Sequence, residues 1–590
     1  AEAVDRIATA IRSTSPERVA VWPGHGAMTN GLGGPLAWRF AHQLGAQWWP
    51  PSIVCWGVGG FGAWLTGVVA VNTADDMAAH SDLILLWGSN LASQPTTAPR
   101  ILAARRRGAR VVAIDVRRTE AFQHADQGLV VRPGTDAALA LAMLHVITHQ
   151  GLADEPFARA HTAGYQDLVA HVAPFTPRWA ARETGLDAAA IEELARAYAA
   201  SEAAVILLGG SSMHKSSAGY EAARAITCLP AVTGNLGRPG AGMGPRHGAG
   251  TGSNALAGIV PPSKLPPDRV MPGEMSSILE HLEQGDVDVL LLPGTNMRSS
   301  FTGGGRLDRA LRRTGTVACV DLFMSDTARG YADVVLPGTS WLEETGFKLG
   351  PSHIHLMDGA LAPRGEAKPV WHLFRELAAR LDLSDYFPWA GAEDVVDAML
   401  AGELTRRQTV AALRENGPSA RTAAPDFAYA SLHFDTPSGK VELRSGAAAR
   451  LGLPELPAYT PPVQDAYPLQ FAQGRTLNHF HGFFDHGRAL PTLARADPEP
   501  RLWIAPTDAG ARGIADGERV RLHNARGEMV AVASVTDRVP AGTVWMRDGW
   551  LGINDLTDPG RTVPDAAVHA FSPAGSARFD ARIEVARLNP

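Results

Sequence analysis

The residues most capable of chemistry in this chain are few and widely spaced. Three cysteines occur, Cys55, Cys228 and Cys319, never as C-x-x-C. That pattern excludes a disulfide framework and any four-cysteine zinc or iron–sulfur site built from this sequence. Each cysteine is therefore buried filler, a nucleophile or a single metal ligand. Cys228 falls near the apolar stripe of Ala222, Ala223, Ile226 and Leu229 in a helix-like stretch from Tyr220 to Pro230, and reads as core. Cys55 keeps different company, in Ser52-Ile53-Val54-Cys55-Trp56-Gly57-Val58-Gly59-Gly60, where the glycines leave room for a pocket beside the backbone. Phe61, Trp64 and Trp56 read either as an apolar wall of that pocket or as ordinary core. His479 and His481 have strand spacing, but two nitrogens do not make a metal site.

A second chemical pattern is duplicated. Leu83-Ile84-Leu85-Leu86 leads into Trp87-Gly88-Ser89-Asn90, a helical stretch, then Val111-Val112-Ala113-Ile114 and Asp115. Val289-Leu290-Leu291-Leu292 leads into Pro293-Gly294-Thr295-Asn296, another helical stretch, then Val317-Ala318-Cys319-Val320 and Asp321. Asn90 to Asp115 and Asn296 to Asp321 are both 25 residues apart. Each copy continues to Pro-Gly-Thr, at Pro133-Gly134-Thr135 and Pro337-Gly338-Thr339. Such a unit is strand–helix–strand in a parallel sheet. A glycine turn at the end of a strand lets backbone N–H groups approach a phosphate, and an aspartate ending the next strand can bind a ribose or a base. Two nucleotides, or two halves of one large cofactor, are expected.

The elements that position these groups follow from the rest of the 590 residues. Gly 61 and Pro 42 without low-complexity tracts point to tight turns and backbone-lined pockets. Thr233-Gly234-Asn235-Leu236-Gly237-Arg238-Pro239-Gly240-Ala241-Gly242 reads as a loop, extended by Pro245-Arg246-His247-Gly248. From Leu502 onward, short alternating runs between turns at Asp516-Gly517 and Arg526-Gly527 read as a small β-barrel. The net charge of −6, with no sustained basic block, argues against nucleic acid. No stretch is long and apolar enough to span a bilayer. A secretory signal is not recognisable, so a cytoplasmic location is expected, with a periplasmic one open if the N-terminus is processed.

Together these motifs resemble the dimethyl sulfoxide reductase family of molybdopterin oxidoreductases, which includes formate dehydrogenases and nitrate reductases. The resemblance runs in order through Gly88, Ile114-Asp115-Val116-Arg117-Arg118-Thr119-Glu120, Arg132-Pro133-Gly134-Thr135-Asp136, Thr233 to Gly240, Ala332 to Pro337, Gly474-Arg475, Ile514 to Gly517 and Asn554 to Thr557. It implies bis(molybdopterin guanine dinucleotide) with molybdenum or tungsten, and an α/β fold with two pseudo-symmetric Rossmann-like parallel-sheet domains and a C-terminal β-barrel. The expected domains are 1–50 with 250–460, 51–249, and the barrel at 465–590. A [4Fe–4S] cluster is expected only if a missing N-terminal domain or a partner subunit supplies it.

The resemblance also implies roles. Cys55 matches the metal ligand, and a soft thiolate suits a high-valent metal already held by dithiolene sulfurs. His214, His247 and Arg246 lie where the family faces its substrate. Cofactor contacts are expected from Trp87, Gly88, Ser89, Asn90, Asp115, Arg117, Thr119, Pro133, Gly134, Asp136, Gly209 and Gly210 in one part. Gly294, Thr295, Asn296, Asp321 and Thr327 would serve the other copy, with Gly474, Arg475, His479 and Asn554 from the C-terminal part. The expected partners are a small-molecule substrate and an electron-transfer subunit. A formate dehydrogenase-like subunit, a metal-free scaffold subunit and non-redox hydration at tungsten are the alternatives. Against the first, Trp56 follows Cys55 where formate dehydrogenases carry histidine, and His247 stands where they carry a carboxylate-binding arginine.

Overall fold

A computed structural model describes residues 1–91, 94, 96–246, 258–478, 490–571 and 578–588. The chain divides into two compact units. The first comprises the described parts of Ala1–Ile53, Ser253–Ala424 and Gly482–Arg495; the second comprises those of Val54–Gly252, Pro425–His481 and Ala496–Pro590.

In the first unit, parallel strands lie in the order Val334–Pro337, Thr316–Asp321, Val289–Pro293, Val19–Val21 and Gln47–Trp48. Glu2–Arg12 forms a helix, with Val4, Ile7 and Ile11 at helical spacing, and buries Ile7 and Ile11 against this sheet's core. A three-stranded antiparallel sheet of Gly346–Leu349, His353–Met357 and Ser419–Arg421 also belongs to this unit.

The second unit repeats the topology. Its parallel order is Gln127–Val130, Arg110–Asp115, Leu83–Trp87, Ala204–Leu208 and Gly242–Met243. Leu83–Trp87 and Ala204–Leu208 are buried throughout, as parallel strands covered on both faces must be. The helix Asp136–His149 is apolar nearly all round because it lies inside this core. Residues 425–460 pack here too, with Val441–Glu442 pairing parallel to Thr162–Ala163. The unit's other body is a closed barrel of Leu469–Gly474, Thr543–Arg547, Arg501–Ile504, Glu528–Val535, Arg519–His523 and Ala581–Arg587. Closure leaves no open sheet edge.

The helix carrying the residues after Cys55, Gly57–Thr66, packs against Gly219–Val232. The contact depends on Gly62, where an added Cβ would lie 2.2 Å from the Tyr220 carbonyl oxygen and 2.9 Å from Ala223 Cβ. Backbone cannot move aside cheaply. Gly62→Ala is expected to destabilise this unit by about 1–3 kcal/mol, read as a lowered thermal midpoint; an unchanged midpoint would show that the two helices slide freely.

Candidate cofactor and active site

The two glycine turns share the same backbone conformation and the same backbone hydrogen bonds. Gly88 and Gly294 have φ of 59° and 61°, a conformation that favours glycine. Gly88 N–H donates to Ile114 O at 2.8 Å, and Gly294 N–H to Val320 O at 2.7 Å. Asp115 Oδ1 accepts from Val116 N–H, and Asp321 Oδ1 from Leu322 N–H, both at 2.8 Å. The two asparagines also make matching bonds within the protein. Asn90 Oδ1 accepts from Ala121 N–H and Asn296 Oδ1 from Thr327 N–H, both at 3.2 Å. Each asparagine thus ties its turn to the segment beyond the next strand and fixes the backbone that would face a phosphate. Thr327, fully buried, also donates from Oγ1 to Asn296 Oδ1 at 2.8 Å.

Other expected residues fall into two groups. At the sheet edge of the second unit lie Ser89 and Thr119, both buried, and Gly209, whose N–H donates to Trp87 O at 2.8 Å. Gly210 begins the short helix Gly210–His214. Trp87 is fully buried, and its indole N–H donates to Asp136 Oδ1 at 2.8 Å, so these two side chains are engaged with each other. Gly134 sits in a turn with φ 79°, and Pro133 O accepts from Gln470 Nε2 at 2.8 Å. In the first unit, Thr295 is buried beside Gly24. Asn554 is buried in a barrel turn, Ile553–Leu556. His247 and His479, with His481, lie outside the described residues.

A feature absent from the sequence reading surrounds Arg117. Its guanidinium lies 4.9 Å from the Trp503 ring and 4.2 Å from the Trp545 ring, while Nη2 donates to Arg475 O at 3.0 Å. Arg538 also lies on Trp503, at 4.2 Å, and its Nη2 reaches Glu120 at 2.9 Å. Trp503 and Trp545 stand opposite each other on neighbouring antiparallel strands, a pairing that only the barrel register creates. Burial pushes the Asp115 carboxyl up to about 6, with Arg117 opposing that shift. Two buried donors, Arg117 Nη1 and Gln473 Nε2, have no hydrogen-bond partner among the described residues. An unmet buried donor on Arg117, beside the strand end at Asp115, fits an anionic, acceptor-rich nucleotide cofactor.

Cys55 is half-buried, between the short turn Pro51–Val54 and the helix Gly57–Thr66. The glycines after it make room for a neighbouring side chain. An added Cβ at Gly59 or Gly60 would lie 2.8 Å from the Trp56 indole, so these glycines let Trp56 fold back over the helix start. The Arg246 guanidinium lies over that indole at 3.4 Å from the ring centroid. Burial pulls the Arg246 pKa down to about 9, opposed by the nearby Cys55, and the group stays cationic at neutral pH. Trp56 and Arg246 share a small cavity with Ala63, Val68, Leu208 and Met243. Phe61 and Trp64 do not line it; they pack with Tyr220 and Phe571 in a separate core. His214 is fully buried against Phe579, ring centroids 5.0 Å apart.

Comparison with known proteins agrees with this architecture. The Molybdopterin oxidoreductase family model matches residues 3–380, and the Molydopterin dinucleotide binding domain matches residues 469–584, the barrel. The chain is 29% identical over 537 residues to a probable oxidoreductase, YoaE, of Bacillus subtilis, covering 87% of this chain and 75% of that protein. It is 29% identical over 516 residues to the F420-dependent formate dehydrogenase subunit alpha of Methanocaldococcus jannaschii, covering 80% and 72%. In fold it is similar to acetylene hydratase from Pelobacter acetylenicus, with TM-score 0.82 and 22% identity over 100% of this chain and 89% of that one. With repeated turns, barrel and both sequence models in agreement, the chain belongs to the molybdopterin oxidoreductase family, of the dimethyl sulfoxide reductase type, whose cofactor is a molybdenum or tungsten bis(molybdopterin guanine dinucleotide).

Proposed function

We propose that the chain catalyses two-electron redox of a small, weakly charged substrate, with Cys55 as the protein ligand to the metal. The observation that carries this is the seating of Cys55: half-buried, beside a cationic Arg246 held flat on Trp56. Among the described residues no group of three or more His, Cys, Asp or Glu side chains could hold a metal. A single soft thiolate therefore suits a metal whose other ligands come with the cofactor. When bound, that cofactor supplies the two-electron couple.

The chain's own residues bind and orient. The turns at Gly88 and Gly294 are proposed to take one dinucleotide each, with Asp115 and Asp321 toward their ribose or base ends. On this reading residues 51–249 serve one dinucleotide, residues 1–50 with 250–460 the other, and residues 465–590 cover the pterins. Arg246 has lost rotational freedom to Trp56, so it offers a fixed positive edge rather than a mobile clamp. Ala63, Val68, Leu208 and Met243 line the same cavity and give it a largely apolar wall. We infer an N- or S-oxide or a small organic molecule rather than formate as substrate, since the indole of Trp56 cannot take up a proton as an imidazole does. Among the described residues no helix is long and apolar enough to cross a membrane. Electrons are proposed to leave through a partner subunit.

Elemental analysis for Mo, W and Fe, with a formate assay using an artificial acceptor on metal-replete enzyme, tests this reading. Molybdenum or tungsten with negligible formate turnover is expected. Robust formate oxidation would show that Trp56 and Arg246 do not set the substrate class, and a metal-free holoprotein would favour a scaffold.

A further inference from the structure

The backbone that carries Arg246 has a weak anchor of its own. Its strand, Gly242–Met243, is two residues long, lies at the edge of the second unit's sheet and pairs with Ala204–Leu208. Gly244 N–H donates to Ile206 O at 2.7 Å, and Arg246 follows just beyond. An edge strand this short opens readily unless other groups hold it.

Asn72 supplies that hold from the other side. It is 1% exposed and stands just before the helix Ala74–His80 and its cap, Thr73. Its backbone N–H donates to Met243 O at 2.8 Å, and its Nδ2 donates to Ala241 O at 3.1 Å and to Asp76 Oδ2 at 2.9 Å. The same Asp76 oxygen accepts from Gly240 N–H at 2.9 Å, and Ser81 Oγ donates to Gly240 O at 2.6 Å. Gly240, Ala241 and Met243 are thus each bound by residues 72–81. Burial raises the pKa of the Asp76 carboxyl, opposed by the donors from Gly240 and Asn72. Bonds this deep are costly to leave unmade.

Asn72 also reaches a third segment. Its Oδ1 accepts from Ala428 N–H at 3.0 Å, and Thr73 N–H donates to Asp426 O at 2.8 Å. The next residue, Tyr429, has φ 60°, a left-handed conformation that a tyrosine rarely adopts. Such a conformation persists where the surroundings over-determine it. Here Asn72 holds the residue before it, and the Tyr429 hydroxyl donates to Gly67 O at 3.0 Å and accepts from Ala70 N–H at 2.8 Å. Residues 67–72 are therefore pinned at Gly67 and Ala70 by Tyr429 and at their end by Asn72. Val68 and Val71 from this stretch line the same small cavity as Met243, Arg246 and Trp56. One side chain ties together the backbones that form its walls.

We propose that Asn72 is a positioning residue for this pocket: by joining residues 67–72 to residues 240–244 and to Ala428, it fixes where Arg246 stands on Trp56. The inference rests on the reading that Arg246 faces the substrate. In the cofactor-free, full-length chain, Asn72→Ser withdraws the side chain from Ala241, Asp76 and Ala428 but removes no bond of the Gly240 or Gly244 amide. Hydrogen exchange at those two amides should nonetheless quicken roughly tenfold or more, while the central strand Leu83–Trp87 keeps its wild-type protection. The holoenzyme is assayed with dimethyl sulfoxide or trimethylamine N-oxide and reduced viologen, and with formate and oxidised viologen. Asn72→Ser should raise KM several-fold with kcat little changed, and raise it no further in an Arg246→Gln background. Should Asn72→Ser fail to fold, Asn72→Asp, which keeps the bond from Ala428, takes its place in both measurements. Unchanged exchange at Gly240 and Gly244, or equal quickening at every amide, overturns the proposal and leaves the reading of Arg246 standing. A KM rise that persists in full without Arg246 overturns it too. A wild-type KM in Arg246→Gln itself removes the reading of Arg246, and the proposal with it.

Discussion

Cys55→Ala is expected to abolish turnover while leaving the fold and pterin content close to wild type. The substitution removes one sulfur from a half-buried position in a turn, so little packing is lost. It also removes the only thiolate that this segment offers a metal. Loss of a ligand that shapes the transition-state charge is worth about 4 kcal/mol or more, on the order of a 10³-fold fall in rate. X-ray absorption at the metal edge should show one fewer sulfur neighbour than in wild type. An alanine variant with full activity, or an unchanged sulfur count, refutes the ligand assignment.

Glu344→Gln should make the cofactor-free chain more stable at pH 8 and leave it unchanged near pH 4.5. Glu344 is 9% exposed; it accepts from Thr339 Oγ1 at 2.7 Å and from Asn30 Nδ2. Burial outweighs those donors and pushes its carboxyl up to about 7 from an ordinary 4.5. A carboxyl raised in the folded state contributes stability that is fully present below pH 4.5 and lost as pH rises through about 7. The loss is about 3 kcal/mol. Glutamine carries no charge to desolvate, and it can accept from Asn30 while donating to Thr339. Thermal midpoints measured across pH 4.5 to 8 should therefore diverge as pH rises. Parallel profiles would mean that water reaches Glu344 and that its ionisation is cheap.

The same Asn30 shows how local chemistry and tertiary contact combine. Its Oδ1 accepts from Leu32 N–H at 3.1 Å and Gly33 N–H at 3.3 Å at the start of the helix Gly33–Leu44, a local contact of the kind asparagine favours. Its Nδ2 reaches Glu344, more than three hundred residues away, and nothing in either sequence neighbourhood signals that pairing.

Interactions between near neighbours along the chain account for the parts of this protein that its local patterns predict. The two apolar runs with their glycine turns, the matched 25-residue spacings and the late alternating strands are local patterns. They formed the two parallel sheets and the closed barrel because hydrophobic period and turn residues act over a few positions. Only the tertiary structure decided what the side chains of the site do. Asn90 and Asn296 were legible as turn residues, yet their partners lie 31 residues on, across a strand. Gly59 and Gly60 make room for Trp56, which in turn carries Arg246 from a loop far along the chain. Arg117 stands between two tryptophans that meet only when the barrel sets its register, and Asp580 meets Ser217 only after more than three hundred and fifty residues of intervening chain have folded. Burial, stacking and unmet hydrogen bonds arise between distant segments, so they leave no periodic trace in the sequence, and they are what turn a recognisable scaffold into a particular site.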